Sequence, residues 1–187
     1  MITTREFASS LYGLWLLLKF DPTGLACFER TVGGFWRSYI AALILAPLNF
    51  LHAIMTFDPE QAALGFAPYL AVEALSYVLA WTVFPFAMLY VSGLLQRENR
   101  LLDYLVPYNW LQLAVGLVAF PVILLFDVNL ITAQGVEFLQ LLILGISISY
   151  AVFLARTALG VALSTAFGLV VFDIVLNLLV GQIVAKI

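Results

Sequence analysis

The sequence predicts an all-α integral membrane bundle of five transmembrane helices preceded by interfacial amphipathic helices. Three observations predict it. The 187 residues are 64% apolar and 10% charged, with a mean hydropathy of +1.08, where a soluble domain is about 45–50% apolar and about 25% charged. Five windows of about 20 mostly apolar residues, the length that crosses a hydrocarbon layer, follow one another along the chain. The basic residues collect on one side of those windows. So little chain separates the windows that the composition excludes an appended soluble catalytic domain, a nucleic-acid-binding surface and a disulfide-built secreted module. One domain is expected over residues 1–187, with interfacial helices in 1–38 and the five-span bundle in 39–187.

The first element is expected to lie in the membrane interface. Arg5, the apolar run Leu11 to Leu18 and Gly24-Leu25-Ala26-Cys27 have the outline of a secretory or lipoprotein signal. Lys19, Asp21 and Pro22 interrupt the run, and Gly24 stands where a lipoprotein signal carries Leu, so the segment is read as retained. Phe7, Leu11, Leu14, Trp15 and Leu18 recur at i, i+4, i+7, i+8 and i+11, with Glu6, Ser9, Ser10 and Gly13 elsewhere on the wheel; this is an amphipathic helix too short to span. Asp21-Pro22-Thr23 has the form of a helix start. A second interfacial helix carrying Leu25, Phe28, Val32 and Phe35 then leads to the first span, with Gly33-Gly34 as the break between them.

The spans are predicted at Tyr39–Phe57, Phe66–Leu95, Tyr104–Phe126, Val136–Leu154 and Leu159–Ala185. Asp58-Pro59-Glu60 and Asp127-Val128-Asn129 supply polar turn residues to two of the short connections. With a cytoplasmic N-terminus, Arg5, Lys19, Arg30, Arg37, Arg97, Arg100 and Arg156 share the cytoplasmic side and only Lys186 lies across the membrane. The positive-inside rule then gives five spans with the N-terminus in and the C-terminus out. Phe35, Trp36 and Tyr39 at one span mouth, and Tyr104, Tyr108 and Trp110 at another, are expected as headgroup-level anchors. Pro47, Pro85, Pro107 and Pro121 fall within or near the spans, where each frees a carbonyl and can kink its helix. Gly160, Ser164 and Gly168, at successive i+4 steps, form a candidate helix-packing ridge.

Ionisable and amide groups at membrane depth are the candidate functional residues. They are His52 with Asn49, Glu73, and Asp173 with Asn177; Glu137 is expected at the outer end of its span, close to water. Asp173 and Asn177 share one helix face, as do Asn49 and His52. Two readings stand. His52, Glu73 and Asp173 could form a proton-responsive or cation-binding site, because carboxylates and imidazole are the groups that exchange protons. Alternatively, these residues hydrogen-bond between helices and fix the packing.

No catalytic motif appears: there is no Gly-x-Ser-x-Gly, His-Glu-x-x-His, phosphate-binding loop or dinucleotide fingerprint. With one His and one Cys, neither a zinc or iron–sulfur site nor bis-histidine haem ligation is expected. No cofactor, metal or catalytic residue is therefore assigned.

The order of elements resembles the Ypt-interacting (Yip) membrane protein superfamily, including its bacterial members. The resemblance rests on Asp21, Pro22 and Phe28, a basic interfacial stretch, five closely spaced spans and the segment Leu94 to Tyr108 with Arg97, Arg100, Tyr104 and Pro107. The Asp-Leu-Tyr-Gly-Pro signature of the eukaryotic members is absent, with only Leu11-Tyr12-Gly13 in its place, so their small-GTPase partners are not carried over. The resemblance implies a five-helix protein acting through partners or membrane organisation. The expected function is thus a non-enzymatic inner-membrane accessory or scaffolding subunit. Its expected partners are the lipid bilayer and another membrane complex or copies of itself, with no nucleic acid. The alternative is a small transporter or proton- or cation-conducting protein using His52, Glu73 and Asp173.

Overall fold

The computed structural model describes residues 2–59 and 65–184. Glu60 of the first polar connection, Ala185 at the expected end of the fifth span, and Lys186 lie outside the described residues. The described chain is helical. Helix α1 is Thr4–Leu17, α2 is Val32–Ser38, α3 is Ile40–Thr56, α4 is Phe66–Leu94, α5 is Leu101–Asp127, α6 is Ala133–Leu159 and α7 is Leu163–Val184, with 3-10 turns at Pro22–Cys27 and Glu98–Arg100. Five helices are long and apolar enough to cross a membrane, the first formed by α2 and α3 together. Pro47, Pro85, Pro107 and Pro121 all lie inside them.

Local chemistry sets the boundaries. Thr3, Thr31 and Thr132 cap α1, α2 and α6 by accepting from the backbone N–H groups of Glu6, Gly34 and Gly135 at 3.2, 3.0 and 3.1 Å, each satisfying a donor that the first turn leaves open. Asp21 caps the Pro22–Cys27 turn through Thr23 N–H and Thr23 Oγ1 at 2.9 and 2.7 Å. Those two donors hold its carboxyl below the usual carboxylate value. A carboxyl lowered in the folded state contributes above the unfolded value of about 4 and is lost only as the pH falls through the lowered one. Pro85 takes the N–H that would have reached the Trp81 carbonyl, and the Tyr39 hydroxyl donates to that carbonyl at 3.3 Å instead.

The C-terminal ends of α4 and α6 lie at the near end of the bundle, and those of α3 and α5 at the far end. Helix α5 is central: it packs on α1, α2, α3, α4 and α6, and residues 104–111 are buried around the whole helix circumference. Tyr104 and Trp110, each 1% exposed, and Tyr108 are therefore core residues and not headgroup anchors. The N-terminal segment supplies the extra layer that buries them: Phe7 meets Trp110 edge-on at 5.4 Å, and Arg30 pairs with Asp103 at 3.3 Å. Asn109 donates to Ser38 Oγ at 2.8 Å. Trp36, by contrast, is 65% exposed.

Four expectations need correction. Helix α1 buries Ser10, Gly13, Leu14 and Leu17, packs Phe7 and its cap residue Leu18 against the core and leaves Leu11 and Trp15 exposed, so the expected apolar stripe is divided between the protein core and the outside. Small residues let backbones approach, and a Cβ on Gly13 would stand 2.8 Å from the Gly24 carbonyl oxygen. The second interfacial helix is split into the Pro22–Cys27 turn and α2. Gly33 and Gly34 sit in the first turn of α2, and the break before α3 falls at Tyr39. The ridge of three small residues does not exist, because Gly160, at φ +64°, is the left-handed cap of α6 and α7 begins only at Leu163. Ser164 and Gly168 remain on α7 and face outward.

At the near end the hairpin of α1 and the 3-10 turn reaches well along α5 and α6. Phe20, at φ +58°, stacks on Tyr150 at 4.8 Å and meets Phe153 edge-on at 5.2 Å. A bulky side chain in the left-handed region is unusual, and the two aromatic contacts, together with the bond from Tyr150 Oη to the Leu18 carbonyl at 2.9 Å, hold it there.

Candidate functional site

The polar groups at depth gather on the middle turns of α5 and α7. Asp173 stands at the midpoint of the 22-residue α7. Tyr108 and Gln112 of α5, spaced i and i+4, share the face turned toward it. The Tyr108 hydroxyl donates to Asp173 Oδ2 at 2.8 Å and accepts from Gln112 Nε2 at 2.8 Å. Asn177, one turn along α7, donates to Asp173 Oδ1 at 2.8 Å and to the Asp173 backbone carbonyl at 3.0 Å. Both carboxyl oxygens thus receive a neutral donor, and among the described residues no Lys, Arg or His lies within ion-pair distance of them.

Two cavities meet at this cluster. One, of about 350 Å³, lies between α5, α6 and α7 and is lined by Asp173, Ser147 and apolar residues such as Leu144 and Ile174. The other, of about 300 Å³, lies between α3, α4, α5 and α7 and is lined by Asn49, Tyr77, Trp81 and Phe120. Tyr108, Gln112, Val115 and Asn177 line both and form the wall between them. Asp173 lines only the first. Neither lining contains a basic side chain, and Asp173 is its sole acid.

The predicted cluster is therefore divided. Asn49, Asp173 and Asn177 border this pair of cavities. His52 lies one turn farther toward the far end of α3, where its Nδ1 donates to Asp127 Oδ2 at 2.7 Å; a carboxylate only accepts, which fixes the tautomer at that nitrogen. Asp127 is read from the sequence as a turn residue, yet its side chain is 9% exposed against 34% for His52. Glu73, half-buried on α4, has no hydrogen bond or ion pair among the described residues. No such bond joins any two of His52, Glu73 and Asp173. Among the described residues no group of His, Cys, Asp and Glu is arranged to hold a metal ion.

Tyr108, Gln112 and Asp127 are the site residues that sequence reasoning missed. The i, i+4 spacing of Tyr108 and Gln112 was a usable signal. Asp127 at the far end of one span and His52 near the far end of another was a second. Replacing Asp127 with Ala is expected to lower stability by about 1 kcal/mol, since a half-exposed partner loses a charge-assisted bond. Asp127→Asn, which keeps an acceptor, is expected to recover most of that. Thermal unfolding of Asp127→Ala in detergent at the wild-type temperature would show that the pair contributes nothing.

Fold and centre together define an all-helical protein with five helices long and apolar enough to cross a membrane, and with a carboxyl at the middle of the last of them that has no ionic partner among the described residues. The chain matches no family model, no curated protein and no solved structure.

Proposed function

We propose that the chain is a non-enzymatic membrane protein that moves a proton or a small cation across the bilayer through the Asp173 centre. The observation that carries this reading is a carboxyl at the middle of α7 that borders a cavity and has no counter-ion among the described residues. Such a group is electrically balanced only by a proton or a cation. The second cavity, bordered by Asn49 one turn from His52, extends polar lining toward the far end. The near end, with its arginines, faces the cytoplasm in this reading, and the protein is a multi-pass component of the cell's inner membrane.

The test is flux in vesicles containing the purified protein, with imposed proton, Na⁺ and K⁺ gradients. Wild type is expected to dissipate at least one gradient, and Asp173→Asn to abolish that flux with unchanged yield and elution. Glu73→Gln, outside the hydrogen-bonded centre, is expected to conduct as wild type does. If wild type passes none of the three ions, the centre reverts to a helix-packing role. The accessory-subunit reading implied by the Yip-like order of elements would then stand in its place.

A further inference from the structure

Resting on that reading, we propose that the species carried is the proton and that the Tyr108 hydroxyl is the relay that passes it between the two cavities. Four observations lead there. First, Tyr108 lines both cavities while Asp173 lines one, so a charge arriving on the Asn49 side meets the phenol before it can meet the carboxyl. Second, the hydroxyl already points its proton at Asp173 Oδ2, 2.8 Å away, which is transfer distance for an O–H donor.

Third, the donors around Asp173 are wrong for a metal cation. Oδ2 faces the Tyr108 O–H and Oδ1 faces the Asn177 N–H. A hard cation takes six or so oxygen ligands and would meet the positive ends of those donors. Ser147, the other hydroxyl in the lining, has its own proton committed to the Ile143 carbonyl at 2.6 Å. Fourth, Gln112 donates to the Tyr108 oxygen from one side, which favours the orientation of the hydroxyl toward Asp173 and returns it there after each transfer. Gln112 acts as a positioning residue.

The step balances without a redox partner. A hydronium in the Asn49-side cavity gives its proton to the Tyr108 oxygen as the phenolic O–H bond to the original proton breaks and that proton bonds Asp173 Oδ2. Tyr108 ends neutral, the carboxylate becomes a carboxylic acid and one water remains. Release of the acid proton to water in the α5–α6–α7 cavity regenerates the carboxylate, and rotation of the hydroxyl resets the relay. Tyr104, its ring 5.7 Å from that of Tyr108, is the remaining titratable group packed against the relay from α5. From α4, Phe84 packs on Tyr108 at 4.9 Å and offers no charge.

The experiment uses full-length protein in phosphatidylcholine–phosphatidylglycerol vesicles with an internal pH dye, and a K⁺ diffusion potential set by valinomycin drives proton entry. Wild type is expected to acidify the lumen, more slowly in D₂O than in H₂O. Asp173→Asn is expected to be silent, and Tyr108→Phe to slow entry roughly a hundredfold or more, the loss expected when a positioned proton-transfer group is removed. Elution and unfolding temperature accompany each variant. Should Tyr108→Phe fail to fold, the D₂O comparison on wild type decides, and equal rates in the two solvents overturn the relay. Proton entry through folded Tyr108→Phe at the wild-type rate also overturns it. Asp173-dependent passage of Na⁺ or K⁺ without protons removes the proton assignment and leaves the proposed function standing. Absence of any flux removes both.

Discussion

Gly34→Ala is expected to destabilise the protein by about 3 kcal/mol, the upper end of the range for overpacking a site that cannot yield. A Cβ at this position would collide with the backbone carbonyl oxygen of Glu29. Backbone cannot swing aside as a side chain does, so the loop from Phe28 to Thr31 would have to move. That loop carries Phe28, 5% exposed in the core, and Arg30, paired with Asp103. The neighbouring glycine is the control. A Cβ on Gly33 would come closest to the Arg37 guanidinium, at 3.0 Å, with Thr31 Oγ1 at ordinary contact distance; it meets the end of a side chain, paired with Glu6, and no backbone atom. Gly33→Ala is therefore expected to be neutral or to gain up to about 1 kcal/mol from helix propensity. Thermal unfolding of the two variants side by side is the measurement, and equal behaviour would show that the loop does not lie on Gly34.

Trp110→Ala is expected to cost about 3–5 kcal/mol, the usual loss for a large aromatic removed from a core. The effect should also be directional. Trp110 is the surface against which Phe7 packs, so the cavity opens under α1. Limited proteolysis should cut the variant first between residues 17 and 31, in the connection that wild type keeps folded on itself through the bond from Ser9 Oγ to the Cys27 carbonyl at 2.6 Å. A variant that unfolds at lower temperature while α1 stays protected would show that the N-terminal hairpin is held elsewhere.

The five spans were legible because hydropathy over some 20 residues is a strong signal, and the limits of α3, α4, α5, α6 and α7 lie within five residues of those expected, although the first apolar span begins seven residues earlier, at Val32, because α2 leads into α3. Gly65 and Gly160, both at positive φ, mark where two helices begin or end, whereas Gly160 is expected from the sequence as part of a packing ridge. The faces were harder to read. In water an apolar stripe points inward, but beside lipid Leu11 and Trp15 can face out while Ser10 and Gly13 face protein. The same inversion hid Tyr108. Its position near a predicted span mouth suggested an anchor, and nothing local reveals that α1 and α2 fold over that end of α5. Asp173 and Asn177 were found because their partners are one turn apart on one helix. Asp173 and Tyr108 are separated by 65 positions, and periodicity carries no information at that range.

The bond between the Tyr150 hydroxyl and the Leu18 carbonyl spans 132 positions, which bears on how the molecule is built. Ribosomes add about 5–20 residues per second, so α1 and its turn exist for several seconds or more before α6 is synthesised. During that interval Phe20 has no ring to stack on, and Leu14 and Leu17 have no finished socket. The bilayer surface is the one shelter on offer, and the apolar Leu11 and Trp15 suit α1 to wait there. Docking of the hairpin is then a late event in assembly, because it waits for a residue made 132 positions later.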